Sequence, residues 1–332
     1  CMKRTILSYG LFLLLSGAVF AAEFPELSVE EQVRLLAPVE GHPVRMVLDT
    51  DTYNEIDDQF ALVYALLSPE LTVEAVYAAP FHNIRSRGPG DGMDKSYEEI
   101  LRILDKMGRS SAGFAFKGST DFLRDAGKPY RSPAALDLVA RARKAGPERP
   151  LYVVTVGAIT NVASAILIDP GIIRNIVVVW LGGNGRNWPH QREFNYQQDL
   201  IASRTIFDSG VPLVRMPCTP VVTHFHTTVP EMESNLAGKS PIADYLLQIF
   251  KDYHRDHFAW SKVLWDMTAV AWVINPRWLP SNLLHAPIVT DQYTFSFDDS
   301  RHFTREVYFV HRDPIFRDFF RKLAGAASES DR

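Results

Sequence analysis

The segments LYVVTV at Leu151–Val156 and IVVVWL within Asn175–Leu181 carry large apolar side chains at successive positions rather than alternate ones. A strand with one wet face alternates apolar and polar residues, so runs like these belong to a sheet covered by helices on both sides. The rest of the chain supplies both parts. Further strands are expected at Val44–Leu48, Thr72–Ala79, Ala112–Phe116 and Val211–Met216. Amphipathic helical patterns fall between them at Asp58–Leu67, Met93–Met107, Pro133–Lys144, Asn161–Ile168 and Leu200–Ser209. This βαβ rhythm predicts an α/β fold with an open, mostly parallel central sheet flanked by helices.

After Thr219 the rhythm changes. Helical patterns cover Ile242–Asp256 and Asp266–Ile274, and a last amphipathic helix is expected at Pro314–Leu323. Tyr293–Phe297 and Phe303–Val310 alternate around the polar DDSR segment, which predicts an antiparallel hairpin within a largely helical C-terminal part. No stretch rich in Gly, Pro or Ser marks a linker. Residues 44–325 therefore read as one domain, with an N-terminal extension at 22–43 and a tail at 326–332.

At the start, Lys3 and Arg4 precede the apolar run Leu11–Phe20, and Val19-Phe20-Ala21 offers small residues at the usual cleavage spacing. Residues 1–21 are thus expected to be a signal peptide, and the mature protein to be exported, periplasmic or secreted. Its sole cysteine would be Cys218, which excludes an internal disulfide. With 46% hydrophobic and 22% charged residues and a net charge of -4, the chain is neither disordered nor a polytopic membrane protein. A pI near 6.2 and the absence of a Lys/Arg-rich stripe exclude a nucleic-acid partner held through phosphates. A small-molecule substrate remains, and no membrane association beyond export is expected.

In open α/β sheets, ligands lie beyond the carboxyl ends of the strands. There, immediately after the first strand, DTDTYNEIDD places Asp49, Asp51, Asp57 and Asp58 within ten residues. Asp57 and Asp58 could simply favour the positive end of the following helix, but that accounts for only two of the four. Carboxylates this close repel unless a cation neutralises them, and all-oxygen ligands suit a hard metal ion. A haloacid dehalogenase-type phosphatase would use Asp49 and Asp51 as its DxD pair with Mg²⁺, but that pattern requires Thr or Val where this chain has Tyr53. No GxxxxGK[ST] loop or GxGxxG turn supports a phosphate cradle.

Four ordered motifs, DTDTYNEIDDQFAL, TVGAITNVASAI, NWPHQREFNYQQD and VLWDMTAVAWVINP, with VVTH at Val221–His224 as a smaller match, resemble the nucleoside hydrolases of the inosine-uridine-preferring type. The resemblance spans about Val44 to Pro276. It implies Ca²⁺ held by Asp51, Asp58, Asp266 and the main-chain carbonyl of Val156, with Asp51 as the general base. It further implies that Asp57, Asn187, Glu193 and Asn195 bind the ribose of a nucleoside or related N-ribosyl substrate, and that the chain is a homo-oligomer. A non-catalytic nucleoside- or sugar-binding protein on the same scaffold is the alternative from another class.

Three departures from the family pattern concern specificity. The TYNEI loop is longer than usual, which could bring Asn54 against the sugar. Trp265 precedes Asp266 where pyrimidine-accepting relatives have His; the purine-specific branch has Trp there, so the leaning is to purines, with Trp265 stacking on the base. AAPFHN follows the second strand where relatives have Gly-Asn, which places His82 and Asn83 near the same pocket.

Overall fold

The doubly apolar strands lie at the centre of the sheet. In the strand Ile176–Leu181, Ile176, Val178 and Trp180 enter one apolar cluster, while Val177, Val179 and Leu181 enter the other. The period of two puts alternate residues on opposite faces, so an apolar residue at every position buries both. A computed structural model describes residues 24–41 and 43–330. The expected leader, residues 1–21, lies outside the described residues; among these, no helix is long and apolar enough to cross a membrane.

From the amino end, the elements are α1 (Val29–Leu35), β1 (Val44–Thr50), α2 (Asp57–Leu67), β2 (Leu71–Ala78), α3 (Pro89–Lys106), β3 (Ala115–Lys117) and α4 (Pro133–Ala142). The middle of the chain forms β4 (Leu151–Thr155), α5 (Thr160–Ile168), β5 (Ile176–Leu181), α6 (Phe194–Gln198), α7 (Leu200–Asp208), β6 (Leu213–Met216) and β7 (His226–Thr227). Next come α8 (Val229–Leu236), α9 (Pro241–Asp252), β8 (Lys262–Val263) and α10 (Met267–Ile274). The chain closes with β9 (Ser281–His285), β10 (Ile288–Val289), β11 (Phe295–Ser296), β12 (Phe303–Val307) and α11 (Arg312–Ser330). The last helix thus continues into the segment expected to be a tail.

The main sheet has the order β3-β2-β1-β4-β5-β6-β12-β9, parallel from β3 through β12. The chain runs outward from β1 to β3, then returns to place β4 on the other side of β1. That reversal is a topological switch point, where the loops after β1 and β4 diverge and leave a crevice. Helices α2, α3, α8, α9, α10 and α11 contribute to one apolar cluster and α4, α5 and α7 to the other.

Two sequence expectations take a different form. The antiparallel pairing near the C-terminus is present, but not across DDSR: β11 pairs with β10, while β12 runs antiparallel to β9 and parallel to β6. Burial favours this arrangement, because β12 closes the open edge at β6 and puts Val307 and Thr304 in the interior. The 22–43 extension also belongs to the body over its described part. Helix α1, capped by a Ser28–Glu31 box, buries Leu35 and Leu36, and the Leu36 carbonyl accepts the Arg305 Nε–H at 2.5 Å.

One amide ties the strand ends together. Asn161 Nδ2 donates to Asp49 Oδ1 at 2.8 Å and to the Ala78 carbonyl at 3.1 Å, and its Oδ1 accepts the Ser119 amide at 2.8 Å. Asp49 Oδ2 accepts the Thr155 hydroxyl at 3.0 Å. The first turn of α5 is thereby pinned to β1, β2 and the loop after β3, wholly out of water. Asn161→Ala would leave Asp49, the Ala78 carbonyl and Ser119 short of partners, at a cost of about 2–4 kcal/mol. Urea unfolding of the variant should show a loss in that range.

Candidate active site

The carboxyl ends of β1, β4, β5 and β6 and the start of α10 surround one cavity of about 400 Å³. Its volume suits a small organic ligand. Asp57, Asp58, Asp266, Glu193, Asn195, Val156 and Asn54 line it together with Trp265 and Trp188. Segments more than 200 residues apart in the chain are thus brought to one place.

The carboxylates are buried. Ligand oxygens of Asp57, Asp58 and Asp266 all lie within 4.8 Å of one another, so this cluster can hold a metal ion. Asp51 is also fully buried and lies against Asp58, though not on the cavity wall. Neither of its carboxylate oxygens has a hydrogen-bond partner. Burying a carboxylate without a partner is costly, so its environment calls for a cation. The donor set is all oxygen, which fits a hard divalent ion.

Proton affinities carry the same signature. Burial, and then the charges of Asp58 and Asp57, holds the Asp51 carboxyl well above the usual carboxylate range. Burial followed by Asp57, Asp58 and Asp51 does the same to Asp266. Asp58 is pushed up to about 8 by burial and by Asp57. Asp57 rises only to about 6, because the Lys262 ammonium opposes the effect of its burial.

Local structure explains how these groups are placed. Asp51 follows β1 directly, and Asp57 and Asp58 form the first turn of α2, where no side chain caps the helix and the exposed N–H dipoles favour negative charge. Thr50 Oγ1 donates to Asp58 Oδ1 at 2.5 Å. Gly157, just after β4, packs on Asp51: a Cβ there would meet Asp51 Cγ at 3.1 Å and Ala79 Cβ at 3.0 Å. Glu193 caps α6 by accepting the Asn195 and Tyr196 amides, and it also accepts the Gly183 amide at 2.8 Å. Asn195 Nδ2 donates to the Val156 carbonyl at 2.9 Å. That oxygen keeps a second lone pair for a metal.

The structure sorts the remaining sequence candidates. Asn54, from the TYNEI loop, lines the cavity and accepts a 2.7 Å bond from Asn83 Nδ2, which couples the loop after β1 to the loop after β2. His82 is exposed, its ring near Ser86, and does not line the cavity. Asn187 is likewise exposed and outside the lining; Asn184, from the same turn, takes its place on the wall. The physical reason is the Gly182-Gly183 turn. It brings Asn184 back over β5, where Arg215 Nη1 holds its carbonyl at 2.7 Å, while the chain at Asn187 has already turned outward. His224 and His226 are engaged with the Val310 carbonyl and Ser261, away from the cluster.

Sequence reasoning missed Lys262. Its buried ammonium pairs with Glu55, lies 3.9 Å from Asp57 and sits 4.2 Å from the centre of the Trp265 ring. The signal was faint: a single lysine three residues before Trp265. The phosphatase alternative fails here, because Asp49, its would-be nucleophile, is buried and bound by Asn161 and Thr155 instead of facing the cavity.

The profile of the family described as inosine-uridine preferring nucleoside hydrolase matches residues 46–306. The chain belongs to this family. It is accordingly a hydrolase of N-glycosyl bonds, and its buried aspartates form a site that can hold a metal ion. It is 29% identical to the pyrimidine-specific ribonucleoside hydrolase RihA of Citrobacter koseri over 250 residues, covering 67% of this chain and 77% of that protein. Among solved structures, the plant nucleoside hydrolase PpNRh1 superposes with a TM-score of 0.69 at 19% identity, over 85% of this chain and 99% of that one. A purine-preferring ribonucleoside hydrolase from Gardnerella vaginalis gives 0.66 at 20% identity, over 86% and 99%. These two structures share the fold.

Carboxylates whose folded-state affinity for protons is raised make the metal-free protein lose stability as pH rises from about 4 through the values near 6 and 8 of Asp57 and Asp58. A bound cation replaces those protons, so its stabilisation should grow over the same interval. Thermal unfolding with calcium and with EDTA should therefore diverge between about pH 5 and about pH 8. A gap independent of pH would show that these carboxylates do not hold the ion.

Proposed function

We propose that the chain is a calcium-dependent ribonucleoside hydrolase that leans to purines and releases free base and ribose. The observation that carries this reading is Asp51: a buried carboxylate with two unpartnered oxygens, against Asp58, at the switch point of the sheet.

Asp51, Asp58, Asp266 and the Val156 carbonyl would hold the ion, which supplies charge neutralisation, a lowered pKa for water and orientation of the sugar hydroxyls. The residues of the chain do the rest. Asp51 accepts a proton of the water whose oxygen bonds to C1′ as the C1′–N bond breaks; the bonding pair leaves on the base nitrogen, which takes up a proton from solvent. Burial and the neighbouring carboxylates raise the proton affinity of the Asp51 carboxyl, and a cation beside it would lower that affinity. Asp57, fixed by Lys262, accepts hydrogen bonds from ribose hydroxyls, and Asn54, Glu193 and Asn195 complete the sugar pocket. The assembled carboxylates favour the positive charge that develops on the sugar. Trp265 offers a face for the departing base, with Trp188 at the mouth. The purine leaning rests on Trp265, and export on the Lys3-Arg4 apolar leader.

The test is release of reducing sugar from a panel of purine and pyrimidine nucleosides, with and without EDTA. Purine nucleosides should be cleaved faster, EDTA should abolish release, and Asp51→Ala should lower kcat by about 10³-fold or more. Calcium binding without release from any nucleoside would leave the binding-protein reading instead.

A further inference from the structure

The wall of the cavity is not acidic throughout. Opposite in charge to the Asp57, Asp58, Asp266 group, Arg192 lines the same cavity, together with His190, from the turn between β5 and α6. Both are exposed at its mouth. Among the described residues, Arg192 has no carboxylate within ion-pair distance, unlike Arg87, Arg124, Arg204 and Arg215. Its guanidinium lies over the Tyr293 ring, 4.4 Å from the centre, with one Nη2–H to the Gln292 carbonyl at 3.4 Å. Stacking on an aromatic face fixes the plane of a guanidinium and leaves most of its N–H groups free.

The turn that presents them is held from below. Buried Gln191 donates its backbone N–H to the Tyr293 carbonyl at 2.6 Å, and its Oε1 accepts the Asn184 amide at 2.8 Å. Arg215, buried against Glu306, holds the Asn184 carbonyl. The Arg192 backbone N–H donates to His190 Nδ1 at 3.2 Å. His190 Nδ1 therefore acts as an acceptor, and in the neutral ring the proton resides on Nε2, a second donor on the cavity wall. A stacked arginine without a counter-ion beside an N–H donor is a site for an oxyanion.

We infer that this nucleoside hydrolase is selective for N-ribosyl substrates that carry an oxyanion, recognised by Arg192 and His190 at the cavity mouth. The inference rests on the hydrolase reading above. Asp57 and the ion held by its neighbours would engage the ribose hydroxyls, so the anion would sit on a part of the substrate that extends toward the mouth. Two sources present the same chemistry: a phosphate ester on the 5′ oxygen, or a carboxylate on the base. Either would pair with the guanidinium in bidentate fashion, and the attraction would weaken as salt screens it.

The experiment compares kcat/KM for uridine, uridine 5′-monophosphate and orotidine, and for inosine against inosine 5′-monophosphate, in the calcium-loaded full protein at low and high salt. Preference for the 5′-monophosphates identifies the phosphate, and preference for orotidine over uridine identifies the base carboxylate. The anionic compound should be favoured by at least about tenfold, with the preference shrinking at high salt. Arg192→Ala should cut the ratio of anionic to neutral kcat/KM by about tenfold or more, and Arg192→Lys should restore part of it. Cleavage of neutral nucleosides at equal or higher efficiency, or an Arg192→Ala ratio equal to that of the parent, overturns the inference while leaving the hydrolase intact. Turnover of none of the compounds would instead strike at the hydrolase reading itself. Thermal stabilisation by ribose 5-phosphate compared with ribose, in parent and Arg192→Ala, gives a binding readout independent of turnover.

Discussion

Mutual repulsion among Asp51, Asp57, Asp58 and Asp266 is the constraint around which the molecule is organised. Each is buried, and Asp51, Asp57 and Asp58 each raise the proton affinity of one or more of the others. Such a group is tolerated only where a rigid frame fixes the charges and a cation or protons neutralise them. The parallel sheet provides the frame: its strands end at one level, and the first turn of α2 and the start of α10 bring helix dipoles of the favourable sign to the same point. Asn161 and Asp49 lock the strand ends behind the site.

The loop after β1 is tied down at several points. It leaves Asp57 within the cluster. Asn54 is anchored through its backbone to the Asp51 carbonyl at 2.7 Å and through its side chain to Asn83, while Glu55 is anchored to buried Lys262. Lys262 in turn reaches Asp57 and Trp265, so the loop, a carboxylate of the cluster and the aromatic wall share one cation. A lysine held by two carboxylates and an aromatic face offsets its own desolvation, and removing it would leave like charges facing one another.

Much of the site could be read in the chain because its chemistry is local. DTDTYNEIDD sets Asp51, Asp57 and Asp58 at the end of a strand and the start of a helix, and REFN sets Glu193 and Asn195 at a helix N-terminus. Asn187 and Asn184 show the limit. Both are asparagines just past the same strand, and only the path of the Gly182-Gly183 turn, fixed by Arg215, decides which one faces the cavity. His82 and Asn83 are a similar case: neither lines the cavity, and Asn83 reaches it only through its hydrogen bond to Asn54.

The sequence by itself determined the α/β class, the order of the central strands' helices and the acidic cluster, since hydrophobic period and short-range motifs act over a few residues. Tertiary structure decided what depends on contacts between distant segments: β12 pairing with β9 and β6 rather than folding back across DDSR, α1 docking on β12, and Lys262 bridging a loop more than 200 residues away. Burial and charge pairing select among alternatives that local pattern leaves equal, and both exist only once the chain is folded.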